Sequence, residues 1–321
     1  MKFLIIIPAH NEEKNMLPCL ESLKNQTFQD FKCIVVNDGS TDKTQEIAEK
    51  FISNQTFNFQ FSIFNLKKSE HQPGAKVVRT FNKGLETENL EEYDVVCKFD
   101  ADIIFPANYL EKVNEVYEKN PKAGMVSGLV YIKKDSSFLG MTKRNSVILN
   151  EAQRNEESKS DFTTSQLYNF TNQNDWVFEN LSSKNHVRGP IKSYRKELFL
   201  KMNGLRAVLG WDNIDVMLCK MHGFETVTIK ELWVKHLRPT AYKYKSQKAK
   251  KLGEYFYNIG LDFPLAAISS AKSSWKNKSI SEFLITMKSF LKQKNERVLN
   301  QEEIAFIRNL RWNEMRNKLN K

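Results

Sequence analysis

Two carboxylates separated by one residue, Asp100-Ala101-Asp102, close an apolar run that ends at Phe99. Side chains at i and i+2 of a strand share one face, so two anions there repel unless a cation sits between or beside them. Carboxylate oxygens suit Mg2+ or Mn2+, and Mg2+ commonly binds a few carboxylates together with substrate phosphates. A solvated turn carrying two acids has the same local spacing; it is the place at the end of a strand that argues for chemistry. A second acidic pair, Asp212 and Asp215, lies in Gly210-Trp211-Asp212-Asn213-Ile214-Asp215. Their i, i+3 spacing puts both near one face of a helix start, where the helix dipole stabilises an anion. N-capping is the alternative for Asp212.

These groups need elements to position them. Phe3 to Pro8 is a continuous apolar run, as expected for a strand covered on both faces. It leads into Pro8-Ala9-His10-Asn11-Glu12. Phe31 to Val36 is a second strand, ending in Asn37-Asp38-Gly39-Ser40-Thr41-Asp42, which is turn chemistry followed by a helix start. Tyr93 to Phe99 is a further strand and delivers the acidic pair. Ligands of an open parallel sheet bind beyond the carboxyl ends of its strands, so three strand ends send polar and acidic groups to one crevice. Helices are expected over Glu12–Asn25, around Ile47, Ala48 and Phe51, and over Lys76–Glu86, with a third strand over Phe59–Leu66. Alternating strands and helices imply an α/β, mostly parallel sheet with helices on both faces.

Residues 135–174 are polar and weakly patterned, with a helix expected over Thr142–Arg154 and a lid-like loop over Ser158–Asn174. The pattern resumes at His186–Leu200, followed by a helix over Asn213–Met221 and a strand over Glu225–Val234. After Pro239 the texture changes to helices: Lys248–Asn258, Phe263–Ser274, Ser281–Lys292 and Glu302–Leu319.

Residues 3–12, Leu23-Lys24-Asn25-Gln26, Ile34 to Asp42 and Asp100-Ala101-Asp102, taken in order, resemble glycosyltransferase family 2 over roughly residues 2–240. The resemblance implies an inverting enzyme with the Rossmann-like GT-A fold, a nucleotide-binding half over 1–105 and an acceptor half over 106–240. It implies that Pro8, Ala9, His10 and Glu12 line the nucleoside site, that Asp38 contacts the base, and that Asp100, Ala101 and Asp102 hold a metal and the diphosphate. Where the family often has Ala-Arg-Asn-x-Gly, this chain has Thr80-Phe81-Asn82-Lys83-Gly84; Lys76 or Arg79 is left to supply the missing positive charge. Gly210 to Asp215 resembles the family's Gly-Trp-Gly-x-Glu-Asp, whose base aligns with Asp215 when no gap is introduced, while Asp212 occupies a glycine position. Either acid has the chemistry for it, and the alignment favours Asp215. Related enzymes place a further metal-binding histidine where His236 stands, in Val234-Lys235-His236-Leu237-Arg238-Pro239; a structural histidine is the alternative. Trp211, by stacking or in the core, and Arg188 are candidates for the acceptor side. Implied partners are a nucleotide-sugar donor, a UDP-sugar ahead of a GDP-sugar, and a glycan, lipid-linked or other hydroxyl acceptor in surface polysaccharide or glycan synthesis. The implied cofactor is Mn2+ or Mg2+.

Composition narrows the alternatives. Four scattered cysteines without a CxxC pair suit a reducing compartment and argue against a zinc ribbon. The apolar start is too short for a signal peptide, and no run is long enough to span a bilayer; a cytoplasmic location is expected. No GxGxxG or GxxxxGK[ST] occurs. A sugar nucleotidyltransferase would carry a glycine-rich loop after the first strand, which is absent. The net charge of +11 is uneven: 17 basic and 7 acidic residues from Ala241 onward, against 32 and 31 before it. That basic helical region, 241–321, has no nucleic-acid motif, so a nucleic-acid-binding protein is disfavoured. Holding an acceptor, a partner or the anionic inner face of a membrane, or a merely solvated basic face, remain for it.

Overall fold

Ile5, Ile6 and Ile7 leave their strand no polar face, and it is buried on both sides. It is β1 (Phe3–Ala9) of a computed structural model that describes residues 1–54, 60–67, 74–134, 168–170, 174–238 and 247–319. β1 lies between β2 (Phe31–Asp38) and β4 (Val95–Phe99), parallel to both, with Ile5 opposite Cys33 and Cys97. β3 (Gln60–Leu66) continues the parallel half on β2. Beyond β4 the direction changes. β8 (Ile191–Arg195) is antiparallel to β4 and to β6 (Ala123–Lys133). β9 (Glu225–His236) runs parallel to β6 and carries the short β5 (Ile103–Ile104) antiparallel on its far edge. The order is β3-β2-β1-β4-β8-β6-β9-β5, with β7 (Trp176–Phe178) paired to β6.

Strand alternation divides the apolar side chains between two layers. Phe3, Ile5 and Ile7 meet α1 (Met16–Lys24), α2 (Thr44–Ser53) and α4 (Tyr109–Lys119) through Met16, Leu20, Ala48, Tyr109 and Val113. Leu4 and Ile6 face the other layer, with α3 (Ala75–Leu85), α5 (Lys196–Lys201) and α6 (Trp211–Met221). The C-terminal helices join this second layer: α7 (Lys248–Asn258), α8 (Phe263–Lys276), α9 (Ile280–Lys292) and α10 (Gln301–Leu319). Phe256, Leu265, Met287 and Ile307 share one core with Trp211, Ile214 and Leu218. A partly buried Arg206–Glu303 ion pair at 2.7 Å and a 3.1 Å bond from Asn258 to the Leu209 carbonyl hold α10 and α7 to the loop before α6.

The expected helices and strands are found within a few residues of their sequence bounds, apart from α1, which starts four residues later. The parallel arrangement holds for β3-β2-β1-β4 and for β6-β9. α4 and β6 had no sequence expectation. The helix expected over 142–154 lies outside the described residues, as does all but a few positions of the loop expected over 158–174.

Candidate active site

The loops after β1 and β2 are knitted together. Asn11, at a positive φ of 56°, accepts from the Thr41 amide at 2.8 Å, and the Glu12 amide donates to Thr44 Oγ1 at 2.6 Å. His10 Nδ1 donates to the Asp38 carbonyl at 2.8 Å. The Asp38 carboxylate, 1% exposed at the end of β2, receives Lys76 from α3 at 3.2 Å and the Thr80 hydroxyl at 3.2 Å. Pro8 and Ala9 end β1 opposite Val36 and Asn37, one step before Asp38. Of the two cations offered for it, Lys76 is in place; Arg79 lies on the exposed side of α3.

The chain leaves β4 after Phe99, so Asp100 and Asp102 stand in a turn before β5 rather than on one strand face. They face different partners, which corrects the shared-face expectation. Asp100 turns to the Lys98 ammonium. Asp102 turns to His236, because the β5–β9 register pairs Ile103 with His236. His236 Nε2 is 3.5 Å from Asp102 Oδ1, and Nδ1 is 3.2 Å from Glu179 Oε2. Burial works against charge on His236, yet Asp102 and Glu179 outweigh it and hold the imidazole up to about 10. Burial alone would raise the Asp102 carboxyl; His236 and Arg238 hold it below the ordinary range. Arg238 bridges Glu12 and, at 3.1 Å, Asp102 Oδ2. Burial, then repulsion from Asp102, raises the Glu12 carboxyl.

This set fits a divalent cation. Asp102 Oδ1 is buried and makes no hydrogen bond, with the His236 ring as its ion-pair neighbour at 3.5 Å; a bound cation would take the place of the proton on that ring. His236 presents Nε2 beside it, while Glu179 holds the other ring nitrogen, the usual support of a ligating histidine. No group of three or more ligating side chains occurs among the described residues, so Asp102 and His236 would form a two-residue donor set that phosphate oxygens complete.

A third cluster joins β4, β8 and α6. Lys98 and Lys192 are direct neighbours across β4 and β8 and are 2% and 0% exposed. Each ammonium lies 5.2 Å from the Trp211 ring centroid, a cation–π arrangement. Lys192 donates to both Asp215 oxygens at 2.7 Å and to the Asp212 carbonyl at 2.6 Å. The Tyr194 hydroxyl donates to Asp215 at 2.6 Å. Burial pushes the Asp215 carboxyl up, against the pull of Lys192 and Tyr194. Asp212 is only half-buried and lies alongside Gly189, whose carbonyl accepts from Lys98 at 3.4 Å. Among the described residues no donor meets the Asp212 carboxylate. It caps nothing, because Gly210, at φ 99°, is the N-cap of α6.

The structure thus joins Glu12, Asp102 and His236 in one group, His10, Asp38 and Lys76 in a second, and Asp100, Trp211, Asp212 and Asp215 in a third. Trp211 is buried in the second core layer, which is its packing alternative. Arg188, 7% exposed, is spent on Glu179 at 2.8 Å rather than turned outward. Sequence reading missed Lys98, Lys192, Glu179 and Arg238. Arg238 alone had a signal, its place two residues after His236.

A family model described as Glycosyl transferase family 2 matches residues 4–179, just over half the chain. The chain belongs to this family. The match spans Glu12, Asp38, the 100–102 turn and Glu179; Asp212, Asp215 and His236 lie beyond it. The poly-beta-1,6-N-acetyl-D-glucosamine synthase of Staphylococcus epidermidis is 29% identical over 135 residues, 42% of this chain and 30% of the synthase. Glycosyltransferase GlyG of Streptococcus pneumoniae is 27% identical over 135 residues, 42% of this chain and 41% of that protein. The matched stretch therefore covers well under half the length of these relatives. Two solved structures share the fold. The mannosyltransferase PcManGT of Pyrobaculum calidifontis, in complex with GDP-Man and Mn2+, has a TM-score of 0.51 at 16% identity, over 95% of this chain and 72% of that one. S. aureus TarS 1-349, in complex with UDP-GlcNAc, has a TM-score of 0.52 at 17% identity, over 96% and 79%. The GT-A architecture expected of the family is the architecture found.

Proposed function

We propose that this family 2 protein transfers a sugar from a UDP-sugar to an acceptor hydroxyl with inversion, in the synthesis of a surface polysaccharide or glycan. The observation that carries this is the buried Asp102 Oδ1, which makes no hydrogen bond and lies 3.5 Å from His236 Nε2, at the strand ends where Asp38 also meets Lys76. Asp38 accepts from the base and Lys76 balances its charge. Asp102 and His236 would hold Mn2+ or Mg2+, which would supply positive charge to a departing diphosphate. Glu179 and Arg188 fix the His236 ring. Asp100, backed by Lys98, faces the ribose and diphosphate side.

Asp212 takes the proton from the acceptor hydroxyl as that oxygen attacks the anomeric carbon on the face opposite the diphosphate. Its carboxylate is half-exposed and, among the described residues, meets no donor, which leaves it open to an acceptor hydroxyl. Asp215 positions it: the carboxylate holds Lys192, and Lys192 holds the Asp212 carbonyl. This reverses the preference that the ungapped motif alignment gives to Asp215.

Thermal shift of the whole chain with UDP-N-acetylglucosamine, other UDP-sugars and GDP-mannose, with and without Mn2+, tests the donor reading. A metal-dependent rise with a UDP-sugar is expected, lost in Asp102→Ala. A rise with GDP-mannose alone overturns the choice of uridine, and no rise with any donor overturns the function. Peripheral membrane contact through the basic C-terminal region belongs to the same reading.

A further inference from the structure

Helices α8 and α9 carry large apolar side chains on the side turned away from the core. Trp275 is 87% exposed, Ile280 80%, Leu284 61% and Leu291 63%. Steps of four and seven residues place Ile280, Leu284 and Leu291 on one stripe of α9, while Met287 and Phe290 face the second core layer. Across the 277–279 turn, Trp275, Ile280 and Phe283 line an open apolar cavity of about 550 Å3. A second cavity, of about 680 Å3, flanks α8 on its Ile268 and Lys272 side and reaches Trp312 and Met315. Exposed apolar surface of this extent marks an interaction site.

The charge on this face is one-sided. Residues 263–294 contain six lysines and one glutamate. Lys272, Lys278, Lys288 and Lys292 are all exposed.

We propose that this face seats the protein on a lipid bilayer with anionic headgroups. Trp275 suits the headgroup level, where an amphipathic ring is at home. The aliphatic stripe of α9 suits the acyl boundary beneath it, and lysines reach back from their apolar stems to the lipid phosphates. A second copy of the chain fits less well. A two-fold contact on this face would set lysines against lysines, and lysine is depleted from protein interfaces. The inference deepens the membrane-contact part of the proposed function, and its test reads vesicle binding and not turnover, so either can fail without the other.

The test is flotation of the whole protein with vesicles of phosphatidylcholine alone or mixed with phosphatidylglycerol. Binding is expected on the anionic vesicles only, with release at high salt. Trp275→Ser should lower the bound fraction about tenfold. Each of Lys288→Glu and Lys292→Glu should lower it about fivefold or more. All three positions are exposed, so the melting temperature should stay at the wild-type value. No flotation, equal flotation on neutral vesicles, or undiminished binding by Trp275→Ser would overturn the proposal. So would a dimer, seen by light scattering, that Trp275→Ser dissociates while no variant floats.

Discussion

Two lysines buried on adjacent strands are costly to desolvate, so each has to be met by an anion. Lys98 is met by Asp100 and Lys192 by Asp215. Asp212 is the acid left over, and that difference makes a prediction. Asp215→Asn leaves Lys192 buried without its counter-charge, which should cost about 3–5 kcal/mol of stability in urea unfolding. Asp212→Asn should unfold within about 0.5 kcal/mol of wild type, bind donor normally and lose turnover by about 100-fold or more. A stable Asp215→Asn protein without turnover, beside an active Asp212→Asn protein, would exchange the two roles. Asp102, Asp38 and His236 were legible in the sequence because each follows an apolar strand, where ligands gather. Lys98 and Lys192 were not: a single lysine in an apolar run says nothing until the register puts Lys98 opposite Lys192. Glu179 was hidden for the same reason, since its partners Arg188 and His236 are brought to it only by the sheet.

At the scale of elements, α1, α3 and the C-terminal helices were readable because their apolar residues recur at helical spacing. β6 was not, although it lies between β8 and β9 in the sheet. Its sequence, Ala-Gly-Met-Val-Ser-Gly-Leu-Val-Tyr-Ile-Lys, carries two glycines that weaken a strand signal. The fold explains them by close approach: a Cβ on Gly128 would stand 2.6 Å from the Leu232 carbonyl oxygen. Gly253 plays the same part where α7 crosses α9. A Cβ there would stand 2.2 Å from the Thr286 carbonyl oxygen and 2.7 Å from the Phe290 nitrogen. Both are backbone atoms and cannot swing aside. Gly253→Ala should therefore destabilise the protein by about 2 kcal/mol or more, despite the better helix propensity of alanine. The expected sign is a lower urea midpoint at an unchanged slope. A midpoint at or above wild type would mean that α7 and α9 are not held this closely.

For the whole molecule, composition draws one boundary and packing draws none. Nearly all the excess positive charge follows Ala241, which reads as a second part with its own task. The core does not divide there. Phe256, Ile259, Leu265 and Ile307 pack in the layer that holds Trp211, Ile214 and Leu218, and the Tyr255 ring lies against Gly210, the cap of the helix that carries Asp212. A charge count cannot see this, because it is indifferent to which face of a helix is covered. The consequence is testable. Ending the chain at residue 246 would expose the apolar side of α6 and release the loop that Asn258 and Glu303 hold. The truncated protein should be poorly soluble or melt well below the full chain, and should lack turnover even with every proposed catalytic residue present. The full chain should unfold in one transition, with tryptophan fluorescence and far-ultraviolet circular dichroism coinciding. Two separate transitions, or a truncated protein with native stability, would make the C-terminal helices an independent module. One transition would mean that the lysine-rich face and the crevice are fixed to one rigid frame, so that seating the first on a surface also sets the direction from which an acceptor reaches Asp212.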